Sequence, residues 1–137
     1  MSYLNWFKKH SIKHKEIVEK LSLCSSEEII DYFDFANMVE KEFNFCPLYT
    51  KDKKCHNMKK LNCYLCGCPY FRFNENGFRE IEGKKLYSYC SIDSKNARDS
   101  KSQNAIHLDC SGCNLPHTQK FIGKNFSMEW EEIMKSV

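Results

Sequence analysis

The stretch Asn62-Cys63-Tyr64-Leu65-Cys66-Gly67-Cys68-Pro69 places three thiols within six residues, and its reading decides what kind of core the chain can build. Cys63 and Cys66 stand at the C-x2-C spacing, at which a tight turn brings both sulfurs to about 2.3 Å from one zinc ion. Cys68 follows after a single residue and precedes Pro69, whose fixed φ turns the chain away. It is therefore expected to serve a different ion, or another face of a cluster. A second knuckle lies in Asp109-Cys110-Ser111-Gly112-Cys113-Asn114-Leu115-Pro116-His117, which reads C-x2-C-x3-H. Further out come Cys46, the adjacent pair Cys55-His56, and Cys90, so that eight of nine cysteines fall between Cys46 and Cys113.

Two C-x2-C knuckles facing each other make the closed four-thiolate tetrahedron of structural zinc. The first expected site is accordingly Cys63, Cys66, Cys110 and Cys113. Cys46, Cys55 or His56, Cys68, Cys90 and His117 would then supply a second. Ten candidate ligands exceed what one tetrahedral ion can use, so about two zinc ions are expected. The alternative cofactor is an iron–sulfur cluster, which also takes thiolates. Zinc is preferred because the ferredoxin-type C-x2-C-x2-C run is absent and histidines beside cysteines suit mixed sulfur and nitrogen sites. Cys24, isolated before a helix start, reads as a small buried hydrophobe. His10 and His14, one helical turn apart, read as part of a packed stripe, since no third ligand is near them in sequence.

With 137 residues the chain has the length of one compact unit. Its 42% hydrophobic and 28% charged residues leave less apolar material than usual for burial, a shortage that metal cross-links would offset. Residues Met1 to His10 hold Asn5, Lys8 and Lys9 and no apolar run of signal-peptide length, and no stretch approaches a membrane span. The expectation is a cytoplasmic protein without a membrane partner. Thiols stay reduced in that compartment, so nine cysteines read as metal ligands or redox groups rather than as a disulfide framework. Eight thiolates and two divalent ions would take the formal charge from +3 to −1, so the basic balance belongs to the metal-free chain alone.

The expected fold class is small α+β: two N-terminal helices, an irregular metal-stabilised, loop-rich core, and a short C-terminal helix. Residues 1–45 form the helical segment packed on the core, 46–121 the cysteine-rich metal-binding domain and 122–137 the closing helix, in one unit. Residues 3–22 carry a helical stripe of Phe7, His10, His14, Ile17 and Leu21. Ser25-Ser26-Glu27-Glu28 fits a capping box, and Ile29, Tyr32, Phe33, Ala36, Val39 and Phe43 predict one continuous second helix behind it. Tyr70–Phe73 and Leu86–Tyr89 alternate as strands that could pair across Asn74–Gly77. Asp93–Ala105 is polar and predicts an exposed loop or a disordered segment. Ser127 followed by Glu129 predicts the start of the last helix.

The run Cys55-His56, then N-C-x2-C-x-C-P from Asn62 to Pro69, then D-C-x2-C-x2-P-H from Asp109 to His117, resembles the cysteine-rich small domain, a zinc-finger-like, metal-binding family. The resemblance spans about Phe43 to Phe121. It implies a metal role for Cys46, Cys55, His56, Cys63, Cys66, Cys68, Cys90, Cys110, Cys113 and His117, and it brings no reaction with it. The interval from Cys46 to Cys55 is long for that pattern, and Asp93–Ala105 looks inserted.

Three functions fit these residues. The first is a zinc-binding module whose metal is structural and which presents a surface to a protein partner. The second is a metal- or thiol-dependent enzyme or subunit with an open zinc or iron–sulfur site, although no H-E-x-x-H, G-x-S-x-G or phosphate loop names a reaction. The third is a nucleic-acid-binding zinc module, suggested by Lys51, Lys53, Lys54, Lys59 and Lys60 beside Tyr49 and Tyr64. Specific nucleic-acid binding is not expected, because Asp52 interrupts the lysines and the thiolates lower the local potential.

Overall fold

A computed structural model describes residues 2–135. Its described residues form a mixed α/β structure of five α-helices and two small sheets. Helix α1 spans Tyr3–Lys20, opened by Ser2, whose hydroxyl accepts from the Asn5 amide. It buries Phe7, His10, His14, Ile17 and Val18, a stripe at helical spacing that agrees with the pattern in the sequence. Helix α2 spans Ser26–Tyr32 behind the expected capping box: the Ser25 amide donates to Glu28 and the Glu28 amide to the Ser25 hydroxyl.

The continuous second helix does not form. It breaks at Phe33 and Asp34, and helix α3 resumes over Phe35–Lys41. Long-range bonding explains the break: the Cys63 amide donates to the Phe33 carbonyl, the Phe35 amide donates to the Leu61 carbonyl, and Asp34 bridges Asn62. These backbone groups serve the cysteine-rich segment instead of a helix ladder. The break also rotates the face, so that Met38 is buried while Ala36 and Phe43 are exposed.

Strands β1 (Phe71–Phe73), β2 (Arg79–Ile81), β3 (Lys84–Leu86), β4 (Ser88–Cys90), β5 (Arg98–Lys101) and β6 (Ala105–Asp109) are all short. β1 pairs antiparallel with β4, with Phe71 opposite Cys90. The expected partners do meet, but a further hairpin of β2 and β3 is inserted between them. Leu86–Tyr89 is not one strand, because β3 and β4 belong to different sheets, the larger ordered β2-β3-β6-β5. The polar 93–105 stretch is exposed as expected, yet it is partly ordered: β5 pairs with β6 from Arg98 opposite Asp109 to Lys101 opposite Ile106.

Leu115–His117 forms a 3-10 turn, followed by α4 (Gln119–Lys124), capped by the Thr118 hydroxyl. Helix α5 (Trp130–Met134) closes the chain; its N-cap is Glu129, two residues beyond the expected serine. One hydrophobic cluster joins Phe7, Ile17, Phe33 and Met38 of the helical part to Leu61, Tyr64 and Leu65 of the cysteine-rich part, with Ile122 and Trp130. The helices therefore supply a conventional apolar core on one flank of the cysteines. Among the described residues no helix is long and apolar enough to cross a membrane.

Candidate metal centre

None of the nine cysteines is in a disulfide. Their arrangement is set at Gly67 and Cys68, where φ is +106° and +60°. Two successive left-handed residues reverse the chain between Cys66 and Cys68. The charges that bear on each thiol sort accordingly. Burial pushes Cys66 well up, and its charged neighbours are Cys63, Cys55 and Cys46. Cys63 is pushed up to about 12, by burial first and then by Cys55, Cys46 and Asp34, against the Tyr49 hydroxyl, which favours the thiolate. Cys55 is raised by burial and by Cys46.

On the other side of the reversal, burial raises Cys68, whose charged neighbours are Cys90 and Cys113. Cys110 is pushed up to about 12 by burial and by Cys68, Cys113, Cys90 and Asp109. Ser94 knits this group together, its amide donating to Cys90 Sγ at 3.5 Å and its hydroxyl lying 3.4 Å from Cys113 Sγ. By the charges that bear on them the thiols divide into Cys46, Cys55, Cys63 and Cys66, and then Cys68, Cys90, Cys110 and Cys113, although neither set of four reaches ligand spacing and members of both line one cavity.

The facing-knuckle grouping of Cys63, Cys66, Cys110 and Cys113 is not what the fold brings together. Cys63 and Cys66 are anchored in the helical core, the former by its amide on the Phe33 carbonyl and the latter by the Trp130 indole, which donates to its carbonyl at 3.0 Å. Cys110 and Cys113 follow β6, which packs against β4 and hence against Cys90. Cys66, Cys110 and Cys113 nonetheless line one cavity.

One trio reaches ligand spacing among the described residues: the donor atoms of Cys55, His56 and His117 lie within 4.8 Å of one another. Both imidazoles are pinned by backbone. His117 Nδ1 lies 2.9 Å from the Asn62 carbonyl and His56 Nε2 lies 2.9 Å from that of Cys110. A carbonyl only accepts, so each of those nitrogens carries the proton and the opposite nitrogen presents a lone pair. Both lone pairs converge on Cys55 Sγ, from His56 Nδ1 at 3.1 Å and His117 Nε2 at 3.7 Å. Burial lowers His117 to about 4, its charged neighbour His56 adding to this and the Asn62 carbonyl opposing it. A neutral imidazole steered by a backbone acceptor is the usual form of a metal-ligating histidine.

Two contributors carried no metal-site signal in the sequence: Ser94 and Tyr49. Tyr49 stands three residues after Cys46 on a 3-10 turn, and its buried hydroxyl lacks a well-aligned hydrogen-bond partner while Cys63 lies beside it. Cys24 is half-buried and packs on the hydrophobic cluster. His10 and His14 are buried among aromatic rings, in keeping with a packed stripe.

Tyr49 and Tyr64 are buried, so neither ring can stack on a base. The Lys54 ammonium is also committed, donating to the Met58 and Lys59 carbonyls at 2.9 and 2.8 Å.

No protein-family model, curated protein or solved structure matches this chain.

Proposed function

We propose that the chain is a cytoplasmic, cysteine-rich zinc-binding module in which about two ions cross-link the loops between Cys46 and His117 and hold a surface for a protein partner. The observation that carries this reading is eight unpaired thiols between Cys46 and Cys113 with Cys55, His56 and His117 at ligand spacing among them. Thiols that burial raises this far make poor thiolates unaided, and a divalent cation is the partner that reverses the cost. The donor set fits: thiolates with neutral imidazoles suit zinc, and the Tyr49 hydroxyl beside Cys63 has a donor to give to a liganded sulfur. The resemblance to the cysteine-rich small domain points the same way.

When bound, zinc supplies positive charge and tetrahedral cross-linking. The chain's own part is to place the sulfurs and hydrogen-bond them, Ser94 at Cys90 and Cys113. Elemental analysis with an absorption spectrum of anaerobically purified protein tests this reading. The expected result is about two zinc ions per chain and no colour. A brown protein with thiolate-to-iron absorption would assign an iron–sulfur cluster instead.

A further inference from the structure

The trio of Cys55, His56 and His117 opens on a cavity of about 260 Å³. That volume equals the share of liquid taken by roughly eight or nine waters, more than one ion needs. Away from the thiols and imidazoles its wall is largely apolar, with Phe71, Ile92, Leu108 and Leu115. Tyr3 stands on the same wall, and its buried hydroxyl has no hydrogen-bond partner. Cys66, Cys68, Cys90, Cys110 and Cys113 also line the cavity but lie outside the trio's cluster.

We propose that Cys55, His56 and His117 form a metal site with three protein ligands and one position open to this cavity, where a small molecule with an apolar body and one anionic donor binds the ion. This rests on the zinc reading above and deepens it: of the two ions, the one among Cys68, Cys90, Cys110 and Cys113 is closed, and the other is held by Cys55 with the two imidazoles and is open, Cys46, Cys63 and Cys66 standing outside its ligand set. Three protein ligands with a free fourth position distinguish zinc that takes a ligand from zinc that only holds a fold. The carbonyl on each imidazole fixes the ring with its free nitrogen towards Cys55, so the donors are oriented before the ion arrives. The apolar wall selects a ligand body that prefers to leave water, and the unpartnered Tyr3 hydroxyl supplies a donor for its anionic end.

Cobalt reports coordination directly. Full-length protein loaded with Co²⁺ is titrated with azide and separately with benzoate, and the visible d–d bands are followed together with cobalt content. The expected result is a saturable change of the bands with both probes, which disappears in His56→Ala while the bands of the four-thiolate site and one cobalt per chain remain. Tight binding of two cobalt ions with bands unmoved by either probe and by His56→Ala would overturn the open site and leave the zinc module standing. A protein that binds no cobalt or zinc at all would overturn both. A response to azide without one to benzoate would leave an open metal but refute the apolar ligand chamber.

Discussion

At the scale of single residues, Gly67 carries the most consequence per atom. Its φ of +106° lies where a Cβ is strained, and a Cβ built there would meet the Trp130 ring at 3.2 Å and the Trp6 ring at 3.4 Å. Gly67→Ala is expected to destabilise the protein by about 1–2 kcal/mol through the left-handed backbone alone, and by more once the two indoles are displaced. Because the same turn separates Cys66 from Cys68, metal content should fall as well. Denaturant unfolding of the metal-loaded variant beside the parent checks both. The sequence showed a glycine between two cysteines, but not which way the turn would open. That depends on Trp130, sixty-three residues away, whose indole holds the Cys66 carbonyl.

Asn62 shows the same limit. It appears in the sequence as a polar residue before a knuckle, yet its side chain donates to the Ile30 carbonyl at 2.7 Å and accepts from the Tyr64 amide at 2.9 Å, while its own carbonyl holds His117. Nothing local announces those three partners.

At the scale of elements, α1 docks through two buried imidazoles. His10 lies among Trp6, Phe45 and Trp130 with its Nε2 unpartnered, and His14 packs on Phe33 and Tyr64 with Nε2 3.0 Å from the Tyr64 carbonyl. Burial pushes His10 down to about 3, helped by His14 and Lys13, and His14 down to about 4. In an unfolded chain both would titrate near 6.5. Between that pH and their folded values the unfolded state binds more protons, so stability is fully present above about pH 6.5 and falls as the pH is lowered. Each histidine should cost about 2 kcal/mol between pH 6.5 and 5. His10→Phe keeps the ring packing and removes one titrating group. Its loss of stability between pH 7 and 5, measured by denaturant unfolding, should be smaller than the parent's by about that amount.

Elements set by local chemistry were legible in advance: α1 from its stripe, α2 from the Ser25 and Glu28 capping box, and the β1 and β4 stretches from alternation. The break at Phe33 and Asp34 was not, because it is made by amides and carbonyls around Leu61 and Cys63. Strand β5 was not either, since Arg98–Lys101 is polar and exposed throughout and only its pairing with β6 makes it a strand.

At the scale of the whole molecule, a conventional aromatic and aliphatic core reaches into the cysteine-rich part and includes Cys63. Composition undervalued that core, because Phe33, Tyr64 and Trp130 bury far more area per residue than their number suggests. The ten candidate ligands were legible from the sequence. Their partition was not, since spacing pairs nearest neighbours and only the fold decides which pairs face each other.

Native mass spectra of Cys55→Ser, Cys110→Ser and the double variant decide whether the thiols form two independent zinc sites, because they count zinc ions chain by chain. Two independent thiol neighbourhoods predict that each single variant keeps one of the two zinc ions and that the double variant keeps none. Equal loss of the same ion, with the double variant still holding one zinc, would contradict the partition.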